Sequence, residues 1–189
     1  HFFFISAGAK QGDTELAVNT ILMQLFTLYS YIMDGFAFAG EAMVGKAIGA
    51  KMRSIYDDTV RHLFRWGWAL AAVFTLAYIL FGNAFLSLLT DDATVLESIH
   101  IYQPWTFLFP LCGMAAFIWD GIYIGATATK GMLISMLSGM AIFFLLYVLL
   151  VPLFANHGLW IAFICYLSAR GISQTLMRQS ITKSTFSKQ

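Results

Sequence analysis

A chain of 189 residues that is 59% hydrophobic and 11% charged, with a mean hydropathy of +0.74, is too apolar for a soluble domain, in which about half the residues are apolar and about a quarter charged. Its formal net charge of +1 hides a strong asymmetry along the chain, and once the charges are placed they exclude a nucleic-acid surface. Cys112 and Cys165 lie in apolar helical surroundings without a CxxC pairing or a histidine at ligand spacing, so they read as two unreactive thiols.

In chain order, Phe2-Phe3-Phe4-Ile5-Ser6-Ala7-Gly8-Ala9 reads as the last two turns of a spanning helix whose beginning is missing, and Gly12-Asp13 as the turn after it. Residues 1–12 are therefore expected to be the end of a truncated transmembrane helix with its outer turn. Residues 13–189 are expected to supply five more helices in the same domain. The first covers 14–50, longer than a bilayer needs, so it must tilt, bend or project, and Gly35, Gly40, Gly45 and Gly49 ease bending. The second covers 59–90, and the third 94–129 with Pro104 and Pro110 near its start. The fourth covers 131–154 and the fifth 158–180.

Uncharged runs at 16–33, 66–90, 101–119 and 131–156 each reach the roughly 18 residues a spanning helix requires. The run at 158–169 is shorter and spans only by continuing past Arg170 to Met177, with that side chain snorkelling or facing other helices. Short connections favour antiparallel neighbours. The expected fold is an all-α, polytopic transmembrane helical bundle.

Lys46, Lys51, Arg53, Arg61, Arg65, Lys130, Arg170, Arg178, Lys183 and Lys188 fall on one side of the membrane, ten against the single Lys10 on the other. The opposite side also carries the acidic Asp91-Asp92-Glu97 segment and the uncharged Asn156-His157 turn. Basic residues in short loops stay on the cytoplasmic side, which puts the C-terminus there.

Three carboxylates lie inside the expected helices: Asp34 and Glu41 on the first, Asp120 on the third. Each costs at least about 3 kcal/mol to bury charged and is expected to line a bundle interior or a wet cavity. Counting from Lys46 and Lys130 at about 1.5 Å per residue, Asp34 and Asp120 lie roughly 15 to 18 Å deep, near the midplane, and Glu41 lies nearer the cytoplasm. Thr20, Gln24, Thr27, Tyr31, Asp34 and Glu41 recur at helical spacing and form a polar stripe that is expected to face a water-accessible cavity. On the third helix Gly113, Asp120 and Thr127 share a face, with Tyr123 one turn from the acid. A carboxylate there can exchange a proton or hold a sodium ion.

The structural alternative is that these acids only fix helix packing. Three acids without an intramembrane lysine favour function over pure structure, with Arg170, closer to the inner face, as the one deep candidate partner. The spacings Gly45 to Gly49 and Gly121 to Gly125 read as close helix packing. No nucleophile with an adjacent base, phosphate-cradling loop, metal-ligand cluster or organic-cofactor motif is present in the sequence, so an enzyme is not expected.

At these residues a family resemblance emerges. Gly12-Asp13, Leu16-Ala17-Val18-Asn19, Asp34-Gly35-Phe36-Ala37, Glu41-Ala42-Met43-Val44-Gly45-Lys46-Ala47-Ile48-Gly49-Ala50 and Trp119-Asp120-Gly121-Ile122-Tyr123-Ile124-Gly125-Ala126-Thr127 resemble the multidrug and toxin extrusion (MATE) transporters, more narrowly their DNA-damage-inducible DinF branch. The similarity covers essentially the whole chain. It departs at Leu133, where a basic residue is expected.

The resemblance implies the C-terminal lobe of a twelve-helix, two-lobe antiporter, from the end of helix seven through helix twelve, with a missing N-terminal lobe as partner. It implies a multi-pass protein of the bacterial cytoplasmic (inner) membrane that exports amphipathic organic compounds. The coupling ion is a proton or sodium, with no further cofactor. Asp120 matches a helix-ten acid implicated in cation coupling in the related NorM branch, whereas in the DinF branch the coupling acid lies in the first lobe. The expected site is thus Asp120, Asp34 and Glu41 for the cation, possible sodium near Asp120, and Gln24, Thr27, Tyr31, Tyr123 and Thr127 around the substrate cavity. The chief rival is a complete small membrane protein acting as an oligomeric channel or scaffold, and a membrane-embedded enzyme would need a catalytic cluster that the sequence lacks.

Overall fold

The computed structural model describes residues 7, 12–90 and 92–186. The expected helix end at 2–9 lies, apart from the helical Ala7, outside the described residues. From Gly12 onward the described residues form five helices: α1 (Asp13–Gly49), α2 (Arg53–Leu89), α3 (Ala93–Tyr102), α4 (Pro104–Gly125) and α5 (Thr129–Phe186). The molecule is an all-α bundle. Among the described residues, four helices are long and apolar enough to cross a membrane: α1, α2, α4 and α5.

Local chemistry sets the boundaries. Asp13 and Glu15 sit in the first turn of α1, where carboxylates oppose the positive end of the helix dipole, and Lys46 sits in its last turn. The chain leaves α1 through Lys51 in the left-handed region (φ 57°), and the Lys51 and Met52 N–H groups donate to the carbonyls of Ile48 and Ala47. After that tight turn α2 starts at Arg53, six residues earlier than expected. The charged run that reads as a loop is instead helical, supported by the exposed pairs Arg53–Asp57 at 3.7 Å and Arg61–Asp58 at 3.4 Å at (i, i+4) and (i, i+3) spacing. Such exposed pairs contribute little energy but favour helix over coil.

The third expected helix, 94–129, is two. Asp92 caps α3 by accepting from the N–H groups of Thr94 and Val95, and Pro104, lacking an N–H, ends the ladder at Gln103 although Gln103 itself keeps helical angles. Pro110 is tolerated inside α4. There its own carbonyl accepts the Tyr29 hydroxyl at 2.8 Å.

The fourth and fifth expected helices run together as α5. Ala155 (φ 47°, ψ −126°) kinks it into two arms, 129–154 and 156–186, with Pro152 removing a backbone donor one turn earlier.

The bundle is built around α4, which packs against α1, α2 and α5. Its Phe109, Met114, Ile118, Trp119, Ile122 and Tyr123 are almost wholly buried. The outer surface inverts the soluble pattern. Leu76, Leu80 and Phe81 on α2, and Leu137, Leu145, Val148 and Leu153 on the first arm of α5, are exposed. A surface of that composition is stable against lipid tails, and the chain is a multi-pass membrane protein.

Close approach of α1 and α4 depends on two glycines one turn apart. A Cβ on Gly121 would run into the carbonyl oxygen of Ala37, and one on Gly125 into that of Glu41. The expected close packing at Gly121 and Gly125 is therefore present, backbone against backbone. Gly49, by contrast, faces open space.

Candidate ion-coupling site

The α1–α4 contact sets the position of the acids. Asp34, Ala37 and Glu41 follow one another on α1, and Asp120, Gly121 and Gly125 on α4, so the glycines let the two acid-bearing segments lie side by side. Both Asp120 oxygens are held by the second arm of α5. Arg170 Nη2 donates to Oδ2 at 2.5 Å and Gln174 Nε2 to Oδ1 at 2.7 Å. Arg170 and Gln174 are one helical turn apart, so a single face of α5 supplies both donors. Arg170 is steadied by Tyr166, whose hydroxyl accepts from Nη1 at 3.4 Å and whose ring centroid lies 5.6 Å from the guanidinium carbon.

Neighbouring bonds hold this register. Tyr123 donates its hydroxyl to the Gln174 carbonyl at 2.9 Å, and the Trp119 indole N–H donates to Thr175 Oγ1 at 2.8 Å. The Asp120–Arg170 side chains are only 20% and 11% exposed, so the charges attract in a medium far less polarisable than water. A pair this enclosed offsets a large desolvation cost and is strongly destabilised when one partner alone is removed.

The pairing departs from the sequence reading in two ways. Asp120 is not an unpaired acid, since Arg170, the one deep candidate partner, does pair with it, and Arg170 is not left to count as a basic residue of the inner face. It belongs inside the bundle, because helix α5 carries it opposite an acid that sequence spacing cannot place there. Nine basic residues then remain on the side counted as cytoplasmic.

Asp34 differs from Asp120. It is half-buried and, among the described residues, carries no hydrogen bond or ion pair, yet it lies close enough to Asp120 for the two charges to repel. Glu41 is half-buried about two turns further along α1, where its carbonyl meets Gly125. The structure thus brings Asp34, Asp120 and Glu41 to one seam of the bundle.

The expected cavity residues separate. Thr20 and Thr27 turn their hydroxyls onto carbonyls of their own helix, those of Leu16 and Met23, while Gln24 and Tyr31 are exposed, Tyr31 at 71%. The upper part of the polar stripe therefore lies on the outside of this bundle. Tyr123 is fully buried and acts as a strut between α4 and α5. Thr127 does not continue the Asp120 face, because α4 ends at Gly125 and Thr127 turns into the left-handed region (φ 54°) with its N–H donating to Ile124. A β-branched residue is strained there, so Thr127→Gly is expected to raise stability by about 1 kcal/mol, measurable as a higher melting temperature in detergent. A cleft of about 330 Å³ between α2, α4 and α5 is lined by Trp68, Leu111, Cys112, Ile172 and Leu176 among others, and none of the expected site residues lines it.

Sequence reasoning also missed a buried polar cluster at the start of α1. The Asn19 and Asn156 amides exchange two hydrogen bonds of 2.7 and 2.9 Å, and the Trp160 N–H donates to Asn19 Oδ1 at 3.0 Å. All three residues are fully buried. Asn156 read as an exposed turn residue, and the only available signal was an asparagine at helical depth on α1.

Residues 2–150 match the profile of the MatE family. The chain belongs to the MatE family. It is 37% identical over 166 residues to the DNA damage-inducible protein F of Escherichia coli (strain K12), covering 88% of this chain and 36% of that protein. It is also 27% identical over 167 residues to Protein DETOXIFICATION 42 of Arabidopsis thaliana, covering 87% and 32%, and 25% identical over 165 residues to Protein DETOXIFICATION 43 of the same plant, covering 87% and 31%. The MatE chain spans about a third of the length of the curated relatives it matches. MatE proteins are ion-coupled multidrug and toxin efflux transporters rather than enzymes, in keeping with a site built of charge-bearing side chains inside membrane helices.

Proposed function

We propose that this chain is the C-terminal lobe of a cation-coupled antiporter that exports amphipathic organic compounds across the bacterial cytoplasmic membrane. A first lobe on the same polypeptide completes the transporter, consistent with relatives about three times as long. The observation that carries the reading is the cluster of Asp34, Glu41 and Asp120 along one seam of spanning helices, where uncompensated charge is expensive. Protons or sodium ions bound there favour one access state, and export of substrate returns the protein to the other.

The orientation follows from the nine basic residues grouped on one side against Lys10 on the other, with the C-terminus in the cytoplasm. Exposed Gln24 and Tyr31 on α1 belong to the surface that meets the other lobe and the substrate path. Membrane lipid covers the remaining apolar face.

The test is substrate efflux by the full-length protein in proteoliposomes under an imposed proton or sodium gradient. Asp120→Asn is expected to lower gradient-driven efflux about tenfold or more, with the protein still folded by size-exclusion chromatography. Wild-type efflux with unchanged pH and sodium dependence would remove Asp120 from the mechanism.

A further inference from the structure

The acids of this seam and their one arginine do not balance. Asp34 and Asp120 repel each other, and among the described residues Arg170 is the one cation paired with either. Arg170 and Gln174 each donate to one oxygen of Asp120, so about half of that carboxylate's acceptor sites are taken, whereas those of Asp34 are not taken by any described residue. Asp34 has no hydrogen bond or ion pair among the described residues. A second feature points to a ligand. Gln174 is wholly buried, and its Oε1 has no hydrogen-bond partner although its own Nε2 is on Asp120. Arg170 Nε is likewise buried without a partner. A buried acceptor oxygen on the amide that touches Asp120, next to an acid pair carrying one uncompensated negative charge, is the donor chemistry of a site for one small cation or for a proton held with water.

We infer that Asp34 is the group that takes the coupling cation, while Arg170 acts as a fixed internal counter-charge that keeps Asp120 anionic and leaves the empty site with one excess negative charge. Asp120 and Arg170 are then positioning residues, and what matters is their sum. With Asp34 and Asp120 ionised and Arg170 protonated, these three groups carry one net negative charge, Glu41 lying about two turns away along α1, and one proton or one sodium ion neutralises them. Removing either acid alone brings the empty site to neutrality, because Arg170 then compensates the acid that is left. Removing Arg170 as well restores the single negative charge. The inference rests on the antiporter reading above and refines where the ion goes.

The experiment uses the full-length transporter in proteoliposomes, with gradient-driven efflux and the number of protons or sodium ions moved per substrate as readouts. Asp34→Asn and Asp120→Asn are each expected to lose about tenfold or more of gradient-driven efflux, D120N/R170Q to recover to within about fivefold of wild type because Asp34 and the single negative charge are both present, and D34N/R170Q to stay as low as Asp34→Asn because the group that takes the cation is gone. A merely structural role for Arg170 predicts no recovery, with D120N/R170Q no better than Asp120→Asn. Folded D120N/R170Q without recovery overturns the inference, as does wild-type efflux by Asp34→Asn or recovery by D34N/R170Q. If chains carrying Arg170→Gln do not fold, the ion count decides. Asp34→Asn must move one cation fewer per substrate than wild type, and an equal count overturns the assignment. Failure of the wild-type protein to couple efflux to either gradient is a different result, since it sinks the antiporter reading itself.

Discussion

Gly121→Val is expected to abolish the folded protein. At this position α1 and α4 touch through main-chain atoms, and the atom that an added Cβ meets is the Ala37 carbonyl oxygen, which cannot rotate away as a side chain would. Admitting valine requires the helices to separate along their length, which also loosens the packing of Met33, Val44, Ile118 and Ile122. Overpacking that only displaces side chains costs about 1 to 3 kcal/mol, and a backbone clash lies above that range. The expected loss is therefore about 3 kcal/mol or more, a large share of the roughly 5 to 15 kcal/mol a domain possesses. Thermal unfolding in detergent, read by fluorescence-detected size exclusion, measures it. Gly49→Ala is the control. That position faces open space at the end of α1, the helix that Gly121 packs against, and its change is expected to stay within about 1 kcal/mol. Equal melting temperatures for Gly121→Val and wild type would show that α1 and α4 are not held at this distance.

The second large effect is expected at the asparagine pair. Asn19→Leu removes both hydrogen bonds to Asn156 and the acceptor of the Trp160 N–H, three hydrogen bonds among fully buried residues. A buried polar group that loses its partner costs about 1 to 3 kcal/mol in a protein interior. Hydrogen bonds between membrane helices average nearer 0.6 kcal/mol, because the unfolded chain in lipid also finds partners, and this pulls the total toward the lower end. A loss of about 2 to 4 kcal/mol follows. Asn19→Leu/Asn156→Leu is expected to be less destabilised than the sum of the single variants, since removing both amides leaves neither of them facing an apolar replacement of its partner. A double-mutant cycle on unfolding free energy measures the coupling, and strict additivity would mean that the two amides do not act together.

Both predictions concern contacts between residues far apart in the chain, and these contacts mark the limit of the sequence reading. Hydropathy and length were enough to identify membrane-spanning helices, because lipid leaves backbone polar groups few ways to be satisfied. The small-residue spacing at Gly121 and Gly125 correctly identified a close approach, since few other residue patterns permit one. The start of α2 was misplaced because the charged residues at 53–58 were left outside the helix expected over 59–90, whereas charges one turn apart support a helix in water. The break at Gln103 was available in Pro104, whose missing donor ends a hydrogen-bond ladder, but the proline was read as part of one longer helix.

The candidate site was half legible. That Asp34, Glu41 and Asp120 are anomalous follows from the free energy of charge in lipid, and family resemblance attached ion coupling to them. Which of them is satisfied and which is not does not follow. Arg170 lies fifty positions from Asp120, at a place where a basic residue at the end of an apolar run ordinarily signals topology.

The sequence alone thus determined membrane residence, helical class and the identity of the costly residues, because those properties depend on local composition and on a period of about 3.6 residues. Only the tertiary structure decided that Arg170 and Gln174 hold both oxygens of Asp120, that Asp34 stands without such partners, and that Asn19 meets Asn156. Helix geometry specifies which residues share a face, but the rotation and depth of one helix against another come from packing among side chains distant in the chain. That packing decides which buried charge is neutralised.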